Sequence, residues 1–143
     1  MWIDQRGSEV LADSECLRLL ALAAKEGAVG HLAWSDSSDR APVLQPVNFV
    51  YDRQKVFIRL GDGRMAESVS GSLVAFEVDH IDREESVCWS VLVRGLASAC
   101  TGTEAETMDR TWPVALVPSP GHQIYSIRPD VVTGRRFGFG ASA

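Results

Sequence analysis

The stretch from Pro42 to Met65, PVLQPVNFVYDRQKVFIRLGDGRM, constrains this chain more than any other. Val43, Val47, Phe49, Val50 and Tyr51 make one apolar run, and KVFIRL from Lys55 to Leu60 makes a second, rich in β-branched and aromatic residues. Asp52, Arg53 and Gln54 interrupt them, and two such runs joined by a short polar break predict a β-hairpin. Gly61-Asp62-Gly63-Arg64 follows, and the spacing predicts a helix from Arg64 to Ser70. A glycine loop opening a helix turns backbone N–H groups the same way and adds the helix's positive end, which suits a phosphate. Arg59 and Arg64 would set two cations beside those groups. The loop lacks the spacing of a P-loop and the third glycine of a dinucleotide fingerprint, so an ordinary glycine turn stays open beside the phosphate cradle.

Around this hairpin the chain reads as one β-rich domain. At 143 residues it is long enough for a single core, and 45% apolar with 23% charged residues fits a globular protein. A net charge of −5 argues against a nucleic-acid partner. The polar start has no apolar core of a signal peptide, and no run approaches the roughly 18 apolar residues of a membrane helix. Cys16, Cys88 and Cys100 show no metal or redox spacing and suit reduced thiols in the cytoplasm.

Asp13 or Ser14 can cap a first helix, whose apolar Cys16, Leu17, Leu19, Leu20, Ala23 and Ala24 recur at helical spacing until Gly27. Strands are expected over 28–35, 73–78, 86–99 and 122–128, with a charged turn from Asp79 to Glu85 and a bulge or bend at Gly95. Thr103 to Glu106 reads as a capping box for a second helix, which Pro113 stops at Trp112. Residues 113–121 read as an irregular loop, residues 131–137 as an extension of the last strand, and 138–143 as a loose tail. A helix followed by a meander, without βαβ alternation, points to an antiparallel barrel with flanking helices.

Among residues that could carry chemistry, Pro46 makes its strand an edge or bulged there, leaving backbone groups and the Asn48 amide to bond a polar ring. Asn48 could equally be a solvent-facing strand residue. His31, His80 and His122 are far apart, and no Ser/His/Asp order or metal-ligand spacing is present.

PVNFVYD, VFIRLGDGRM, SLVAFEVDHID, WSVLVRGLA and IRPDVVTGRRF, in this order over Ser14 to Phe137, resemble the pyridoxamine 5'-phosphate oxidase-like family of FMN-binding split barrels. The branch with nitroimidazole reductases looks nearest, although its members often carry His where this chain has Arg59. The resemblance implies a mainly β, antiparallel split barrel that binds FMN at a homodimer interface. It implies an oxidoreductase that passes a hydride, from NAD(P)H or another donor, through the flavin to a small oxidised acceptor. It places Pro46, Val47 and Asn48 against the flavin ring, and Ile58, Arg59, Gly63, Arg64 and Met65 around the phosphate and ribityl chain. Trp89, Ser90 and Val91 lie on a strand under the flavin, with Trp89 either stacked or simply core. Arg135 and Arg136 reach the partner subunit's cofactor, or else form a solvated basic tail. Leu60 and Met65 stand where the family has a hydroxyl residue and often a lysine. The resemblance leaves the deazaflavin F420, which relatives of this fold also use, as an alternative cofactor, and the departure motivates a non-enzymatic rival, a flavin- or haem-binding dimer or one that has lost its ligand.

Overall fold

The computed structural model describes residues 2–5, 7–36, 38–61, 67–112 and 123–139. Its elements are β1 (Trp2–Ile3), β2 (Glu9–Val10), α1 (Asp13–Lys25), β3 (Val29–Ser35), β4 (Pro42–Asp52), β5 (Lys55–Leu60), β6 (Leu73–Asp82), β7 (Val87–Ala99), α2 (Gly102–Thr111), β8 (Gln123–Ile127) and β9 (Val131–Gly138). Every strand pairing is antiparallel. The β7–β8 pairing closes the ring β3-β4-β5-β8-β7-β6, a barrel of six strands, and β9, β2 and β1 extend outward from β7.

Alternation along the strands divides the side chains between two cores. Leu32, Val47, Phe49, Val56, Ile58, Phe76, Val78, Val91 and Val93 fill the barrel with the apolar stripe of α1. Phe49 meets Phe76 edge-to-face at 4.9 Å. Phe76 also lies over Gly30, where an added Cβ would sit 2.3 Å from its ring. A second core forms outside the barrel, where α2 lays Met108 on Phe57, Cys100 and Ile124. This is why β5 is apolar on both faces: one side of it lines the barrel and the other lies under α2.

The predicted hairpin is present, with Asn48↔Arg59 to Asp52↔Lys55 in register. Its loop is Arg53-Gln54, with φ of 50° and 64°, the signs of a type I′ turn. The strand expected at 86–99 is β7, and Gly95 in it marks a bend rather than a bulge, since its pairing with Val74 is in register. There the second flank of β7 changes partner, from β9 up to Arg94 to β8 from Ala97. The Arg128 carbonyl comes so close that a Cβ on Gly95 would lie 1.9 Å from it.

Four expectations are corrected. Ala12, not Asp13 or Ser14, is the N-cap of α1, and no side chain caps it. Asp13 and Glu15 instead lie in the first turn, where the helix's positive end favours them. Thr101 in an extended conformation caps α2, so Thr103 lies inside the helix and no capping box forms. The charged turn begins after Asp82, because β6 stays paired with β7 through Asp82↔Val87. Finally, residues 131–138 do not extend β8: they form β9, which pairs with β7 and with β2. The short strands β1 and β2 were not expected from the polar N-terminal sequence. The loop at 113–121, the start of the helix at 64–66 and the tail at 140–143 lie outside the described residues.

Candidate functional site

Pro42 to Val47 of β4 pair with β3 on one flank, and pairing with β5 begins only at Asn48. The Pro46 segment is therefore an edge among the described residues. Asn48 is 7% exposed and is buried, not a solvent-facing residue. Across from it stands Arg59, and across from Arg59 stands Ile124, on the side of the barrel that α2 covers.

Arg59 is the most constrained cation of this region. One guanidinium nitrogen, Nη2, lies 3.6 Å from Asp109 Oδ1 on α2. Its Cζ sits 5.9 Å from the ring centroid of Trp112, at cation–π range. Its Nε is buried and, among the described residues, has no hydrogen-bond partner, and the same is true of Trp112 Nε1. Native proteins leave few buried donors unpaired, which makes these two N–H groups candidates for binding an acceptor.

The outer face continues from Asn48 around the barrel. His31 pairs with Pro46 and with Glu77, Asp79 pairs with Ser90, and Ser90 pairs with Arg135. Asn48 on β4 and Ser90 on β7 are thus three strand spacings apart, about 14 Å along the sheet. Between them Glu77 Oε2 lies 3.5 Å from His31 Nδ1. Partial burial, followed by a hydrogen bond with Asp79 and its charge, pushes the Glu77 carboxyl up to about 7. One side-chain step along the strands a concavity of about 530 Å³ opens, with Ala33, Leu73, Ala75, Arg94 and Val131 among its walls. That volume falls in the range of small-molecule sites.

The residues singled out in the sequence therefore divide. Pro46, Asn48, Arg59, Ser90 and Arg135 share the outer face. Val47, Ile58, Trp89 and Val91 point into the barrel core. Trp89 is 8% exposed and stands 6.0 Å, ring to ring, from His80. Arg135 pairs with Asp4 at 3.2 Å, and Arg136 pairs with Glu9 at 3.4 Å and Glu15 at 2.9 Å. Both arginines thus tie β9 to the N-terminal segment of the same chain. Hydrogen bonds from Arg18 and then Arg136 hold the Glu15 carboxyl down at about 2. Gly63, Arg64 and Met65 lie outside the described residues. Trp112, Asp109 and Glu77 were missed as site residues. Trp112 was read only as the point where α2 stops, and its proximity to Arg59 depends on packing between α2 and β5 that no local pattern encodes.

Among the described residues no helix is long and apolar enough to cross a membrane, and no group of His, Cys, Asp or Glu could hold a metal.

The sequence profile of pyridoxamine 5'-phosphate oxidase matches residues 12–136. A Corynebacterium glutamicum structure that carries this family's name superimposes with a TM-score of 0.75 at 25% identity, over 92% of this chain and 99% of that one. The FAD-binding protein from Mycobacterium smegmatis gives a TM-score of 0.70 at 28% identity, over 91% of this chain and 98% of that one. An uncharacterised protein of Mycobacterium tuberculosis is 27% identical over 128 residues, 85% of this chain and 80% of the relative.

Proposed function

Because the chain belongs to the pyridoxamine 5'-phosphate oxidase family, we propose that it binds a flavin nucleotide on the outer barrel face and acts as a flavin-dependent oxidoreductase. The observation that carries the reading is the buried, unpartnered Arg59 Nε, with Asn48 buried directly across the β4–β5 ladder. A phosphate oxygen satisfies such a donor with a charge-assisted bond. Support comes also from the Mycobacterium smegmatis relative, which binds FAD and is 28% identical. FMN and FAD share the ring and the first phosphate, which are the parts these residues address; FMN is the smaller form and the one the sequence resemblance implies.

A bound flavin would supply the redox chemistry, hydride transfer from a donor such as NAD(P)H to a small oxidised acceptor. The chain's residues bind and orient. Arg59 anchors the phosphate end, with Arg64 and the Gly63 backbone as further donors. Asn48 and the edge backbone at Pro46 hold the polar rim of the ring, and Ser90 donates from β7. The site lies on a face that a second subunit would cover. Leu44 and Leu73 there are 69% and 76% exposed, and Leu96 and Val131 are exposed beside them. Apolar surface of this kind marks an interface, and we assign it to a homodimer. The three cysteines are free, which suits a reducing cytoplasm.

The test is the spectrum of the purified protein, followed by extraction and mass spectrometry of the released cofactor. Flavin absorbance with FMN or FAD in the extract is expected. Extracted F420 would assign the same site to a deazaflavin. A colourless protein that takes up no added flavin would leave a non-enzymatic role, the reading that Leu60 and Met65 motivate.

A further inference from the structure

We infer that Trp112 is a ligand-binding residue, and that its indole N–H and the Arg59 Nε–H together hold one oxyanion, the phosphate of the nucleotide. The inference rests on the flavin reading for the molecule that carries the phosphate, and on the geometry of the chain for the rest.

Trp112 leaves the last turn of α2 in an extended conformation, φ −63° and ψ 129°, so its side chain is not part of the helical stripe. It packs against the second core of Phe57, Cys100, Met108 and Ile124. Its ring lies 5.9 Å from the Arg59 guanidinium. Among the described residues neither Trp112 Nε1 nor Arg59 Nε has a partner, although both atoms are buried. An indole nitrogen can only donate, and a guanidinium can only donate. Two unpaired donors, one of them charged, on groups whose Cζ and ring centroid lie 5.9 Å apart suit a single acceptor with several lone pairs and negative charge, which is an oxyanion.

Asp109 opposes such a ligand, since its carboxylate lies 3.6 Å from Arg59 Nη2. Nη2 and Nε–H lie on the same side edge of the guanidinium, so Asp109 competes with an oxyanion there, although at 47% exposure water screens it. Its removal should therefore strengthen the site, an effect that a purely structural Arg59–Asp109 pair would not give.

The experiment is an NMR titration of the indole N–H signals of the apo protein with inorganic phosphate, FMN and riboflavin. The chain has four tryptophans, and Trp112→Phe identifies the signal by removing it. Phosphate and FMN should move the Trp112 signal, and riboflavin, which has no phosphate, should leave it in place. Trp112→Phe keeps the ring over Arg59 and removes the donor, so it should weaken FMN about tenfold while riboflavin affinity holds. Asp109→Asn should tighten phosphate. FMN bound with the Trp112 signal unmoved would overturn the inference and leave the flavin reading standing. A Trp112 signal that answers phosphate while no flavin binds would support the oxyanion site and remove the flavin. Silence of that signal towards both ligands would overturn the inference.

Discussion

Glu77 is the residue whose environment departs most from its sequence. It lies mid-strand on the outer barrel face, next to Asp79 and across from His31 and Leu92. Its carboxyl is raised to about 7, by desolvation first and by Asp79 second. A raised carboxyl means the folded state holds the proton more tightly than the unfolded chain. The stability it contributes is complete below the ordinary carboxylate range and is lost as pH rises through about 7. Glu77→Gln, which mimics the protonated form, should gain stability relative to the native chain between about pH 4.5 and 7, and the difference should level off above that range. Urea unfolding across pH 4 to 8 reads this; a constant difference would place Glu77 in ordinary solvent. Glu15 has the opposite sign: held at about 2 by Arg18 and Arg136, its contribution is present at neutral pH and lost as pH falls from about 4.5 towards 2. Trp89 was open between stacking and packing; it is 8% exposed and lies in the core cluster, which supports packing. Trp89→Ala should cost about 3–5 kcal/mol of unfolding free energy in the apo protein. A melting temperature that barely moves would return Trp89 to a lining role.

At the scale of elements, the hairpin was legible because its two signals are local: β-branched runs and a polar break. The turn type was not legible, since Arg53 and Gln54 both adopt positive φ without being glycine or asparagine. Left-handed backbone costs a side chain about 1 kcal/mol or more that glycine avoids. Gln54→Gly should therefore stabilise the protein by about 1 kcal/mol in urea unfolding, and a loss would mean that the turn depends on the glutamine side chain. The end of β6 was missed for a related reason. Asp79, His80 and Asp82 look like turn residues, and only their pairing with Ser90, Trp89 and Val87 keeps them extended. β1 and β2 are two residues each, too short for a pattern to show; pairing of β2 with β9 and the ion pairs at Arg135 and Arg136 place them. Gly95 could be singled out from sequence, but its reason could not, because the Arg128 carbonyl that fills its Cβ position comes from a distant segment.

At the scale of the whole molecule, the barrel followed from patterning and order along the chain, while the site depends on which face each residue takes. Alternation puts Asn48 and Arg59 outside and Val47 and Ile58 inside, a division that the motif PVNF alone does not reveal. The exposed leucines of that outer face carry the dimer proposal. Light scattering at micromolar concentration, with and without flavin, should give twice the chain mass in both states, because the apolar face exists either way; a monomer in both would remove the shared interface. The central claim is narrower: a flavin nucleotide is held by Arg59 on this face. Equilibrium titration of apo protein with FMN, followed by flavin fluorescence, for the native chain and for Arg59→Ala, tests it most directly. The account predicts saturable binding by the native chain and affinity at least about tenfold weaker for Arg59→Ala, the size of one lost charge-assisted bond. Native-like binding by Arg59→Ala, or no binding by either protein, would contradict it.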